Sequence, residues 1–161
     1  DTDSFETGIR AALRQDPNVL MVSEIDDHAT LDVVLQAAET GHLVLTTMHT
    51  ADVERTIGRM LSMSSNPQET RDRLSECLQG IVAQRLLPRA DGSGRVLATE
   101  VLTMTSSVRS AIKRPDQNPT LHELMDRGVA LYGMHSFSID IQRLEKEGLI
   151  DAEAARLALS Y

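Results

Sequence analysis

The 161-residue chain carries 24 acidic side chains against 16 basic ones, a formal net charge of -8, so no basic field exists to hold nucleic-acid phosphates. Its length allows one compact unit with a sizeable core and room for a small appended subdomain. The single cysteine, Cys77, excludes an internal disulfide and any four-cysteine zinc site, and no apolar run reaches the roughly eighteen residues of a membrane span.

Phe5, Ile9, Ala12 and Leu13 share one helical face, and the pattern stops at Asp16-Pro17. Val19 to Val22 is a short continuous apolar run, as in a strand covered on both faces of a parallel sheet. Leu31, Val34, Leu35 and Ala38 return to helical spacing, with Gly41 where a helix stop belongs. Leu43 to Met48 predicts a second strand. Thr50 or Asp52 then caps a helix that reaches Met63 and buries Val53, Ile57, Met60 and Leu61. Strand, helix, strand, helix at this spacing predicts an α/β fold with a parallel sheet and right-handed crossovers.

Ser64 to Pro67 marks a break, and a long helix is expected to carry Leu74, Leu78, Ile81 and Val82, with Cys77 packed beside that stripe. Leu86-Leu87 and Arg95 to Leu102 flank Asp91-Gly92-Ser93-Gly94, which predicts an antiparallel hairpin. After Thr103 the pattern becomes short helices, near Ser107 to Arg114, Thr120 to Arg127, Ser136 to Glu147 and Asp151 to Leu159. The division expected is residues 1–102 and 103–161.

In parallel α/β sheets ligands gather beyond the carboxyl ends of the strands. Glu24 stands just past the first predicted strand, in Ser-Glu-Ile-Asp-Asp-His, and His49 ends the second strand on the same edge. His42 begins that strand. Fully extended, it holds the two imidazoles roughly 20 Å or more apart, too far to share a metal. A metal site built on Glu24, Asp26, Asp27 and His28 would need consecutive side chains to converge, whereas a short turn splays them. Asp26, Asp27 and His28 therefore read as a solvated turn, with Asp27 also placed to cap the next helix. No glycine-rich phosphate loop is present; the two lysines, Lys113 and Lys146, stand in other contexts. If the protein hydrolyses a nucleotide, its phosphate-binding half is expected upstream of Asp1, and the chain reads as an excerpt of a longer one.

The runs ALRQDPNVLMVSEIDD, AAETGHLVLTTMHTADVERTIGRM and LSECLQGIVAQRLLPRADGSGRVLATEVL, continued by SSVRSAIKR and GLIDAEAARLAL, together resemble the C-terminal ATPase domain of secretion and pilus motor ATPases. The PilT-like type IV pilus retraction ATPases are the branch most resembled. The resemblance implies a RecA-like parallel sheet core with a β-hairpin and a helical C-terminal subdomain. It also implies assembly as a homohexameric ring that binds ATP and Mg2+ between subunits. By motif position, Glu24 matches the glutamate that activates water in an atypical Walker B segment, and His42 and His49 match the two histidines of the His box. Arg10 and Arg14, in the stretch following the Asp box, and Asp27 are implied supporting polar contacts. No residue is implied as a dedicated protein metal ligand. The segment around Val108 to Arg114 resembles a helical motif linked to retraction, although a packing helix explains its apolar residues equally well.

Two positions depart from the family pattern: Ser23 stands where glycine is usual and Asp26 where arginine is usual. The absence of a four-cysteine module favours the retraction branch over the type II secretion branch. Implied for the whole protein are ATP hydrolysis driving pilus retraction and twitching motility, and a cytoplasmic place on the inner face of the cytoplasmic membrane. That place comes through a platform protein, without membrane insertion or nucleic-acid binding. This chain alone, lacking the phosphate loop, is expected to be inactive. The alternatives are a degenerate, non-hydrolysing regulatory subunit, motivated by Asp26, a pilus-assembly or secretion ATPase, and a metal-dependent hydrolase built on Ser-Glu-Ile-Asp-Asp-His.

Overall fold

The computed structural model describes residues 2–160. Ser4 opens helix α1 (Phe5–Leu13) by accepting from the Thr7 N–H, and Asp16, in a left-handed backbone conformation at φ 54, turns the chain into Pro17. Strand β1 (Val19–Val22), helix α2 (His28–Glu39), strand β2 (Leu43–Thr46) and helix α3 (Val53–Met63) follow. The two strands pair in parallel, Val19 opposite Leu43 and Val22 opposite Thr46, with α2 as the crossover. Asp52 rather than Thr50 caps α3: its carboxylate accepts from the Arg55 N–H at 2.7 Å, while the Thr50 hydroxyl meets that of Thr56.

The expectation for β1 holds on one face only among the described residues. Leu20 and Val22 are buried, but Val19 and Met21 are 53% and 79% exposed, and Leu43 and Leu45 are exposed beside them. The described helices pack on one side of this two-stranded sheet, so within this chain β1 alternates in burial.

Helix α4 (Pro67–Cys77) also ends earlier than the helical spacing predicts. Leu78 is extended, and Gly80 begins strand β3 (Gly80–Pro88), antiparallel to β4 (Arg95–Thr103). Ile81 and Val82 lie opposite Leu102 and Val101 in that ladder, as β-branched residues favour. At Gly80 a side chain would put its Cβ 2.9 Å from the Leu102 carbonyl oxygen, so the close strand approach requires glycine. A non-local pairing thus overrides the local period. Cys77 is half-buried against the core, and that burial pushes its thiol pKa up.

The remaining α-helices among the described residues are α5 (Ser106–Lys113), α6 (Leu121–Arg127), the unanticipated single turn α7 (Val129–Tyr132), α8 (Phe137–Lys146) and α9 (Ala152–Leu159), with a 3-10 turn (Pro115–Gln117) between α5 and α6. Helices α4 and α5 cap each other reciprocally. Arg109 Nη1 donates to the Ser75 and Glu76 carbonyls at 2.5 and 2.9 Å, and Arg71 Nη1 donates to the Ile112 carbonyl at 3.2 Å. Val108 and Ile112, in the segment resembling a retraction motif, are buried in the first core with Val22, Leu31, Val53 and Leu74. A second core joins Ala83, Leu87 and Ala98 of the hairpin to Phe137, Ile141, Leu144 and Ile150. The buried Asp140 carboxylate of α8 accepts the Thr99 N–H at 2.8 Å, which fixes the helix beside β4. No helix among the described residues is long and apolar enough to cross a membrane.

Candidate active site

The segments leaving β1 and β2 are stitched together beyond the last ladder pair. Ile25 is buried and donates its N–H to the Thr47 carbonyl at 3.1 Å, while the Thr47 hydroxyl donates to the Ser23 carbonyl at 2.6 Å. Between the anchors Val22 and Ile25, Glu24 is held with its side chain 38% exposed. His49, two residues past Thr47, brings Nε2 to 3.1 Å from Glu24 Oε2, the imidazole N–H donating and the carboxylate accepting. Its ring is 92% exposed. The pair stands at the carboxyl ends of two adjacent parallel strands, where one carboxylate oxygen is oriented by His49 and the other is left to accept from water.

His42 lies at the opposite end of β2 and is used differently. Its Nδ1 lies 3.0 Å from the Ala37 carbonyl and 3.2 Å from the Thr40 hydroxyl. A carbonyl only accepts, so Nδ1 carries the proton and the ring closes the C-terminal end of α2. Arg10 binds Glu6 at 3.1 Å and Gln36, in the last turns of α2, at 3.3 Å; Arg14 is exposed where α1 ends. The structure therefore brings Glu24 and His49 together and places His42, Arg10 and Arg14 away from that contact.

Asp27 caps α2, its Oδ1 accepting the Thr30 N–H at 2.7 Å, and hydrogen bonds from the Thr30 backbone and hydroxyl hold its pKa below the ordinary carboxylate value. A carboxylate depressed in the folded state stabilises above its unfolded pKa of about 3.9, and that stabilisation is lost as pH falls through the folded value. Asp27→Asn should keep the cap yet remove this dependence. Melting temperatures of parent and variant measured at pH 5 and pH 3 are expected to differ less at pH 3; an equal difference at both would rule the effect out.

Asp26 and His28 are exposed, so Ser-Glu-Ile-Asp-Asp-His is dispersed over a strand tip, a cap and two surface positions. Among the described residues no three His, Cys, Asp or Glu side chains come together as a metal would need. Three contributors escaped the sequence reading: Thr47, Arg85 and Glu100. Glu100 left a signal, since an acid at an inward-facing position between Ala98 and Leu102 breaks the alternation of β4. The residue is 5% exposed, and its carboxylate accepts from two helix starts, Val53 N–H at 2.9 Å and Phe137 N–H at 3.2 Å.

The family model described as Type II/IV secretion system protein matches residues 2–148. The chain belongs to that family. It is 38% identical over 157 residues to the twitching motility protein of Neisseria gonorrhoeae, covering 96% of this chain and 41% of that protein. It is 37% identical to the type IV pilus retraction ATPase PilT of Pseudomonas aeruginosa, covering 97% of this chain and 45% of that one. The chain thus spans less than half the length of these relatives. A crystal structure of the pilus retraction motor PilT with bound ADP aligns over 98% of this chain and 44% of its own, with a TM-score of 0.86 and 39% identity. The Legionella pneumophila ATPase DotB gives a TM-score of 0.81 at 26% identity, over 98% of this chain and 42% of its own. The secretion-family chain accordingly has the α/β fold expected for it, a RecA-like parallel sheet portion with an antiparallel hairpin and C-terminal helices.

Proposed function

We propose that this chain is the C-terminal part of a motor ATPase that hydrolyses ATP in a homohexameric ring to drive type IV pilus retraction. The observation that carries the reading is the Glu24–His49 contact at the carboxyl ends of β1 and β2. It occurs in a chain matched along almost its whole length by one relative named as a twitching motility protein and another named as a type IV pilus retraction ATPase. Residues 1–102 are read as the C-terminal part of the ATPase core and 103–161 as a helical subdomain docked against it. The work takes place on the inner face of the cytoplasmic membrane, through a platform protein.

Hydrolysis here means that water oxygen attacks the γ-phosphorus, the bond from that phosphorus to the ADP oxygen breaks, and the water loses a proton. Glu24 orients the water and accepts that proton. His49 holds the carboxylate in register and, being exposed at the same edge, faces the place where the terminal phosphate is cleaved. Such catalysis is mainly positioning and charge stabilisation, so a carboxylate fixed at a strand tip is the part this chain supplies. Mg2+ carried by the nucleotide would neutralise phosphate charge, and Glu24, a half-exposed carboxylate at the strand tip, would hold it through water. Asp26, where the family usually has arginine, motivates a second reading as a non-hydrolysing regulatory subunit.

Phosphate release from ATP, measured on the protein that joins this chain to a phosphate-binding loop, separates the two. Magnesium-dependent turnover is expected. Nucleotide binding without turnover would overturn the ATPase reading in favour of the regulator. In cells, loss of the protein should leave surface pili in place but abolish twitching; loss of the pili themselves would point to assembly instead of retraction.

A further inference from the structure

Glu100 stands on the inward face of β4 with its carboxylate almost wholly buried. Oε1 accepts the Val53 N–H at 2.9 Å and Oε2 the Phe137 N–H at 3.2 Å. These are the first residues of α3 and α8, so one negative charge serves two helix N-termini. Ser136, which precedes α8, supplies no capping hydrogen bond from its own side chain. Val53 lies four residues after His49, a span of at most about 14 Å of chain.

A second hairpin residue holds the same segment. Arg85 Nη2 donates to the Ala51 carbonyl at 3.4 Å, between His49 and Val53, while Nη1 donates to the Ala158 carbonyl of α9 at 3.0 Å. Its guanidinium also stacks 4.1 Å over the Phe137 ring at the start of α8. Both side chains therefore tie the His49 segment on one side to the C-terminal helices on the other.

We propose that Glu100 is a positioning residue: by clamping Val53 and Phe137 to the hairpin it sets His49 against Glu24 and makes that setting depend on the position of α8. Its catalytic consequence rests on the ATPase reading; its geometry does not. Glutamine has nearly the same shape, but its amide offers one good acceptor and turns N–H groups toward the second helix start, so one of the two bonds is lost.

The test is a double-mutant cycle read by NMR on this chain. Glu24→Gln should displace the His49 ring resonances in the parent and leave them nearly unmoved in the Glu100→Gln background, where the pair is already separated. Equal displacement in both backgrounds would overturn the proposal, whether or not the protein turns over ATP. If Glu100→Gln fails to fold, Arg85→Gln replaces it in the same cycle, with the same two outcomes. In the protein carrying a phosphate loop, Glu100→Gln should lower kcat roughly tenfold or more at unchanged KM for ATP, and should add nothing to His49→Ala. An equal further loss in the His49→Ala background would mark Glu100 as merely structural.

Discussion

Glu24→Gln is expected to lower kcat for ATP hydrolysis by about 10²–10⁴-fold, the range typical of removing a positioned general base. Glutamine occupies the same space, and its carbonyl oxygen can still accept the His49 Nε2–H now found 3.1 Å from Glu24 Oε2. Shape and orientation are therefore kept while the ability to take a proton is lost. KM for ATP should change little, since the one nucleotide contact proposed for this side chain is indirect, through water to Mg2+. Turnover equal to the parent's would remove Glu24 from the role of base. His49→Ala should give a smaller loss, on the order of 10-fold to 10²-fold, because it relaxes the orientation of a carboxylate that remains present. The order of the two effects tells proton acceptance from alignment.

Ile141→Ala should be the most damaging single change among those considered for folding, costing about 2–5 kcal/mol. Ile141 is fully buried in the second core, where Phe137, Leu144 and Ile150 surround it and the hairpin contributes Ala83, Leu87 and Ala98. Ala83 and Ala98 of the hairpin and Ala155 and Ala158 of α9 are small, so the large side chains of α8 and Ile150 fill much of this core and the cavity left by truncation has few neighbours able to close it. For a chain of this size the loss corresponds to roughly a 5–15 °C fall in Tm. Ile141→Val, which removes one methylene, should cost about 0.5–1.5 kcal/mol. Thermal or urea denaturation of the three proteins checks both values; indistinguishable stabilities would mean that α8 does not pack against the hairpin. Because α8 is tied to the His49 segment through Glu100, a loosened second core should also reduce turnover in the assembled ATPase.

The chain's order of elements was readable because it follows from local chemistry. Proline after Asp16, Asp52 ahead of α3, and the glycines of the Asp91 to Gly94 turn each fix a boundary by what their backbones and side chains can do. The same is true of Glu24 and His49. An acid and a histidine placed just beyond two strands joined by one crossover helix must fall on one edge if the strands are parallel, and they do. The separation of His42 from His49 follows from strand length alone.

What the sequence left open depended on partners distant along the chain. Ile81 and Val82 continue the helical spacing of α4, yet they are strand residues because β4 lies ready to pair with them and Gly80 permits the approach. Met21 and Val19 look like core residues, yet within this chain they are exposed, on the side of their sheet that the described helices leave uncovered. Whether Arg10 and Arg14 approach Glu24 could not be read from motif order; Gln36 and Glu6 hold the first, and α1 ends with the second exposed. Glu100 shows the limit most clearly. By sequence it is only an acid out of pattern in a strand. Its place between α3 and α8, 47 and 37 residues from its two hydrogen-bond donors, exists only once the hairpin has folded against both helix starts. Local rules specify which residues begin and end an element; the burial of one carboxylate between two helix N-termini is decided by how the elements pack.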